Sequence, residues 1–346
     1  MVQLTLPLGT CLSGRYRIDK VIGVGGFGIT YLGYHKDLGS KCAIKEFFIS
    51  GKCTRNEDGN SVSFQGLSND QFTKFRSRFL QEAQTINKLQ HPNVVQVFDV
   101  FEENNTAYII MEFIEGQTLQ NKVTKEGPLS YELAVNYIGQ IADAVGFCHK
   151  QHILHRDIKP DNVMITPDDR AILIDFGSAR GFVNDEVQYH TTILTHGYAP
   201  LEQYSGTSKK GNYTDIYSLG GVFYFAITGQ KPLDATERAQ QNHMQTPREL
   251  NPNIPMEAET TILKAMEMNP RDRFQHVSDF VECLMGHIIP PNPDPDSDPD
   301  PDSDSNPKPK TKRRKKHVGL WIFLSILFVH MIAVIGLVVY YANTYI

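Results

Sequence analysis

The chain has 346 residues and a net charge of −5. That length allows a two-lobed domain with sizeable cores and further segments besides, while the net charge discriminates little because the charges are unevenly placed. Five cysteines (Cys11, Cys42, Cys53, Cys148, Cys283) are scattered, odd in number and never C-x-x-C. This suggests neither a disulfide framework nor a zinc site and leaves reduced cytosolic thiols as the expectation. The opening MVQLTLPLGT has neither a basic region nor a long apolar run, so no signal peptide is expected.

Residues 1–14 read as a lead-in. From Tyr16 to Tyr34 apolar and polar residues alternate around Ile22, Gly23, Val24, Gly25, Gly26, Phe27 and Gly28. A lone G-x-G-x-x-G is a weak signal, and its dinucleotide-binding reading needs a helix directly after the glycines. Here Ile29–Tyr34 is β-branched and aromatic, which predicts a returning strand. A strand–turn–strand flap suits a loop over phosphates, where missing side chains let backbone N–H groups approach oxygen. An ordinary glycine-rich hairpin is the plainer alternative.

The strand around Cys42–Ala43–Ile44–Lys45 follows. The segment from about 48 to 71 holds the turn signal Asn56–Asn60. It is expected to form an extra hairpin or loop, a tolerated surface insertion. Apolar residues at helical spacing predict a helix over 79–89, which carries Glu82. His91–Pro92 stops that helix, and Tyr108–Gly116 reads as a buried strand leading into a linker. Leu133–His149 is a helix whose apolar face is core, and His149 itself needs no functional role.

Next comes His155–Arg156–Asp157–Ile158–Lys159–Pro160–Asp161–Asn162, and then Asp175–Phe176–Gly177. Phosphoryl transfer needs positioning and charge neutralisation, because charge spreads over three phosphate oxygens in the transition state. Asp157 would take a hydroxyl proton and Lys159 would stabilise the moving phosphoryl group. Asn162 and Asp175 would hold Mg²⁺ (or Mn²⁺) through oxygen ligands. Both motifs, in this order and at this separation, are hard to obtain by accident.

The chain resembles a eukaryotic-type (Hanks-type) serine/threonine protein kinase of the bacterial, membrane-anchored kind, over residues 15–286. The resemblance implies an α+β bilobal protein-kinase fold, with a β-rich N-lobe and an α-rich C-lobe. Lys159 looks like the Ser/Thr class. Lys45 would bind the α- and β-phosphates of ATP with Glu82 as its helical partner; taken singly, either residue would be an ordinary solvated side chain. Ile22–Gly28, Thr30 and Ala43 would line the nucleotide. Met111 would sit behind the adenine, and the backbone of Glu112 and Ile114 would hydrogen-bond the base edge. Thr30 and Cys42 stand where the family usually has Val, Leu201 where it has Pro, and Leu194–Thr195–His196 where it has Gly-Thr-Pro. These departures touch packing and substrate docking, not the chemistry.

By the same resemblance Glu202 should pair with Arg273, and Asp215 should brace the catalytic loop. Arg156 would give that loop a positive charge that a phosphate could neutralise. Thr191 and Thr192 are the phosphosite candidates, with simple loop polarity as the alternative, and Thr195 would contact Asp157.

Beyond Gly286 the composition changes. Residues 287–310 repeat Pro, Asp and Ser, so no core can form; an extended tether of roughly 60 Å is expected. Residues 311–317 are polybasic. Val318–Tyr340 is an apolar run of about 23 residues, enough to span a bilayer. Its Val, Leu, Ile and Phe residues sum to roughly −5 to −9 kcal/mol of insertion free energy, more than His330 and two glycines cost. The basic cluster lies on the kinase side, which places the kinase domain in the cytoplasm and could attract anionic lipid. A nucleic-acid reading of that cluster is weaker beside a span. Residues 341–346 would form a short extracytoplasmic tail, with no external sensor domain. His330 is either tolerated, packed on a second helix or proton-sensing. Dimerisation through the span would suit trans-phosphorylation, although no strong small-residue motif supports it.

The expectation is thus an ATP- and Mg²⁺-dependent kinase of protein Ser/Thr hydroxyls, its own included, tethered to the cytoplasmic face of a membrane. A membrane-anchored pseudokinase scaffold is the alternative. A small-molecule phosphotransferase normally lacks the activation segment and the Glu202–Arg273 pair.

Overall fold

The computed structural model describes residues 4–176, 196–205, 207–241 and 243–286. The readings on Thr191, Thr192 and Thr195, on the linker, basic cluster, span and tail of 287–346, and on His330 all lie outside the described residues. Among the described residues no helix is long and apolar enough to cross a membrane.

The first part is a curled antiparallel sheet. Strands β1 (Cys11–Leu12), β2 (Tyr16–Val24), β3 (Gly28–His35) and β4 (Lys41–Phe47) follow one another. A separate hairpin of β5 (Cys53–Arg55) and β6 (Val62–Phe64) precedes helix α1 (Asn69–Ile86). Strands β7 (Val97–Glu103) and β8 (Thr106–Glu112) complete the sheet in the order β1-β2-β3-β4-β8-β7. Alternation along β3 puts Ile29 and Tyr31 into the core. The glycines are followed by this strand and not by a helix, so the dinucleotide reading fails.

Helix α1 begins at Asn69, earlier than the apolar spacing predicted. Ser68 and Gln71 form a reciprocal capping box, in which the Ser68 hydroxyl accepts from Gln71 N at 3.2 Å and Gln71 Oε1 accepts from Ser68 N at 2.7 Å. Phe72, Phe79, Ala83 and Ile86 form its buried face. The Phe72 and Phe79 rings each lie 5.5 Å from that of Phe47.

The hairpin corrects the surface-insertion reading of 48–71. Cys53, Arg55 and Val62 are buried. The Phe64 ring stacks on Phe72 of α1 at 4.1 Å.

The second part is helical. After β9 (Gln117–Thr118) and α2 (Leu119–Glu126), the long helix α3 (Tyr131–Lys150) starts at the Ser130 cap and buries Tyr137, Ile138, Ile141, Ala142 and Val145. Strands β10 (Val163–Ile165) and β11 (Ala171–Leu173) join β9 in a small sheet. The chain between α3 and β10 is the His155–Asn162 stretch, and the chain after β11 carries Asp175, so this sheet brings both to one cleft. Further on come the short α4 (Leu201–Tyr204) and the central α5 (Asn212–Thr228). Helix α5 is buried on all sides from Thr214 to Ile227, as a helix surrounded by others must be.

Candidate active site

Lys45 projects from β4, opposite Thr30 on β3 and Ile109 on β8. Its Nζ lies 2.7 Å from Asp175 Oδ1. Asp175 has φ +52° and follows β11 closely. Burial works to raise the Asp175 carboxyl, but the Lys45 ammonium and its hydrogen bond outweigh this and hold the carboxyl below its ordinary range. Burial likewise opposes the Lys45 charge, and Asp175 overrides it, so the ammonium is strengthened.

The expected Lys45–Glu82 pair is not formed. Glu82 stands on α1 with Oε1 buried and without a hydrogen-bond partner. Burial pushes its carboxyl up to about 8 against the opposing charge of Lys45. Two carboxylates compete for one ammonium, and Asp175 holds it.

The loop of His155–Asn162 is held from beneath by Asp215 of α5. His155 N donates to Oδ2 at 2.9 Å and Arg156 N to Oδ1 at 2.7 Å. His149 Nε2 lies 2.9 Å from the same Oδ2. Burial works to raise the Asp215 carboxyl, and the His149 hydrogen bond and charge outweigh it, so it too sits below the ordinary range. Arg156 has φ +63°, a left-handed conformation that costs a non-glycine residue free energy and that these hydrogen bonds enforce. The His155 ring packs at a tilt of 39° against Phe176, with ring centroids 4.4 Å apart.

Asn162 Nδ2 donates to Asp157 O at 2.8 Å, to Asp157 Oδ2 at 3.0 Å and to Asp175 O at 3.4 Å. Lys159 Nζ is 3.2 Å from Asp157 Oδ2. Lys45, Asp157, Lys159, Asn162 and Asp175 are therefore linked across one cleft. The amide group of Asn162 spends its nitrogen on Asp157 and Asp175, which fixes which way it faces; its oxygen and the Asp175 carboxylate are a hard donor pair that suits Mg²⁺.

Gly25 N donates to Gly28 O at 2.8 Å to close the glycine turn, and the Ile22 and Val24 side chains are exposed. Added Cβ atoms at Gly23 and Gly26 would meet nothing within 4 Å, whereas one at Gly28 would lie 2.8 Å from Glu46 O. Phe27 lies at the tip of this turn. Ala43 pairs with Met111 across β4 and β8. The N–H of Glu112 is committed to Gln96 O at 2.8 Å, so a base would meet that residue through its carbonyl. Ile114 is buried just beyond.

Away from the cleft, Arg273 Nη1 and Nη2 reach Glu202 Oε1 and Oε2 at 2.7 and 3.2 Å, both residues buried. The guanidinium also donates to Glu267 O at 2.6 Å and Met268 O at 3.0 Å and lies 4.8 Å from the Tyr217 ring centroid.

Three features were absent from the sequence reading. The sequence gives His149 no functional role, yet it props Asp215. Asp234 gathers His196 Nδ1 at 2.9 Å, Tyr204 OH at 2.8 Å and Gly197 N at 3.3 Å, tying down the chain before α4. Burial opposes its charge, but the hydrogen bonds from Thr236, Tyr204 and His196 carry its carboxyl down to about 2. Glu46 and Arg55 form a buried ion pair. No motif marks any of these; each depends on which elements meet in space.

This fold and cleft define a two-lobed domain of the protein-kinase type. The family model described as the protein kinase domain matches residues 16–287, and the chain belongs to that family. It is 33% identical over 280 residues to the serine/threonine-protein kinase PrkC of Bacillus subtilis (strain 168), covering 79% of this chain and 40% of that protein. It is 31% identical over 281 residues to the serine/threonine-protein kinase PknB of Mycobacterium tuberculosis (strain ATCC 25618 / H37Rv), covering 78% and 42%. A solved structure described as the apo form of PpkA-294 superposes with a TM-score of 0.74 at 31% identity, covering 82% of this chain and all of that one. The chain thus spans about 40% of the length of the curated relatives it matches.

Proposed function

We propose that the chain is an ATP-dependent serine/threonine protein kinase that phosphorylates protein hydroxyls, its own included. The observation that carries this is the linkage of Asp157, Lys159, Asn162, Asp175 and Lys45 across one cleft. The names of the relatives support it.

Asp157 Oδ2 accepts the hydroxyl proton of the substrate and is kept in place by Asn162 and Lys159. Lys159 then faces the transferring group, where a fixed positive charge stabilises the developing negative charge. Asn162 and Asp175 would hold Mg²⁺, which when bound offsets phosphate charge. Lys45 turns from Asp175 to the phosphates, and the glycine turn offers backbone N–H groups above them. The scaffold alternative is disfavoured, because every group this chemistry requires is present.

The test is to incubate the full chain in detergent with γ-labelled ATP, Mg²⁺ and a generic protein substrate, then hydrolyse and separate the phosphoamino acids. Label on serine and threonine supports the reading. Its absence, with the protein folded, overturns it.

The same proposal includes membrane attachment. Its support is the apolar run 318–340 behind the basic cluster 311–317. The full chain should sediment with membranes and resist carbonate extraction, and a chain ending at residue 310 should not. Equal solubility of both would remove this part.

A further inference from the structure

Successive side chains of a strand point to opposite faces. Lys45 faces the cleft, so its neighbour Glu46 faces the interior behind the sheet, where it is wholly buried. Four donors meet the Glu46 carboxylate. Arg55 Nη1 reaches Oε1 at 2.8 Å, Arg55 Nη2 bonds Oε2, Tyr31 OH reaches Oε2 at 2.8 Å and Tyr108 OH reaches Oε1 at 3.0 Å. Arg55 also donates from Nη1 to Asn60 O at 2.7 Å and from Nε to Leu4 O at 3.0 Å. Leu6 N donates to Tyr31 OH at 3.1 Å.

A carboxylate in a dry interior is tolerated only when paired and hydrogen-bonded. Glu46 can therefore occupy its place only with the 48–71 hairpin docked and Arg55 inserted. The docked segment then reaches the glycine turn and α1, which face the cleft from the N-lobe. Ser50 N donates to Gly26 O at 2.9 Å and Phe48 N to Phe27 O at 3.3 Å, which ties down the glycine turn. Phe64 stacks on Phe72, and Ser68 caps α1, the helix of Glu82. Glu46 itself is the residue after Lys45.

We propose that Arg55 is a positioning residue for nucleotide binding, acting through Glu46 to fix β4, the glycine turn and α1 against one another. This rests on the proposed kinase reading. The brace serves the nucleotide half of the cleft and leaves the protein-substrate half, built by the C-lobe, untouched.

Two variants test it. Arg55→Lys keeps the charge but loses the planar two-pronged fork. The double variant Glu46→Gln with Arg55→Met removes the pair without leaving an unpaired buried charge. For each, Mg²⁺-ATP affinity is read by titration, alongside KM for ATP, KM for the protein substrate, kcat and the thermal midpoint. The expected result is a folded protein whose Mg²⁺-ATP affinity falls about tenfold or more, with KM for the protein substrate within about twofold of the parent, since about 1.4 kcal/mol separates each decade. Affinity equal to the parent's in either folded variant overturns the proposal. So does a parallel loss of all parameters that follows the folded fraction, or the failure of both variants to fold, since either makes Arg55 a stability residue only. A parent chain with no affinity for Mg²⁺-ATP is a different outcome: it removes the kinase reading and this inference with it.

Discussion

Lys45 is bonded to Asp175 at 2.7 Å, while Glu82 on the neighbouring helix has its Oε1 buried without a hydrogen-bond partner. The three groups set a pH dependence. Glu82 is raised from an ordinary 4.5 to about 8 by burial, so between those values the folded chain binds more protons than the unfolded one. Stability due to this group is therefore fully present below about 4.5 and is lost as pH rises through about 8. Glu82→Gln, which keeps the shape without the ionisation, should raise the thermal midpoint relative to the parent more at pH 9 than at pH 5. Thermal scans of both proteins across that range check this; parallel curves would contradict it.

Glu202 and Arg273 are joined by two hydrogen bonds in a dry part of the C-lobe. Removing one partner leaves the other buried and unpaired, at a cost of roughly 3–5 kcal/mol. Glu202→Ala should lower unfolding stability by that order in a denaturant titration. Nucleotide affinity of the fraction still folded should be unchanged, because neither residue reaches the cleft.

The glycine turn contains positions with opposite demands. At Gly28 an added methyl would lie 2.8 Å from the backbone oxygen of Glu46, so something must shift. At Gly26 the space is open. Gly28→Ala should lower the thermal midpoint, and Gly26→Ala should leave it near the parent value while weakening Mg²⁺-ATP binding, since the methyl would stand where phosphates approach. Thermal scans and nucleotide titration of both variants separate the two effects.

Asp215 holds the left-handed Arg156 backbone in place through the N–H groups of His155 and Arg156. Asp215→Asn loses the charge that gathers these donors, and a misplaced Asp157 costs turnover by about 10²-fold. The fall should appear in kcat with KM for ATP little changed. His149→Ala should give a smaller fall of the same kind, because His149 supports only Asp215 Oδ2.

The residues of the cleft were legible because phosphoryl transfer needs particular groups in a particular order. Glu202 and Arg273, far apart in sequence and away from the cleft, were legible only through the family resemblance. What stayed hidden depends on choices that spacing does not encode. Glu82 was legible as the partner of Lys45 and Asp175 as a metal ligand, but their competition for Lys45 is decided by geometry in the folded cleft. The turn at Asn56–Asn60 marked a hairpin, but nothing in it showed which face of β5 would be buried or that Arg55 would meet Glu46. The start of α1 could have been read from Ser68 and Gln71, a capping-box pattern that apolar spacing overlooked.

The most direct test is phosphate incorporation by Asp157→Asn beside the parent chain, with γ-labelled ATP and Mg²⁺. An amide of the same shape keeps the fold and the nucleotide site but cannot accept the hydroxyl proton. Label should enter serine and threonine in the parent and fall to background in the variant. Equal labelling of the two would contradict the account.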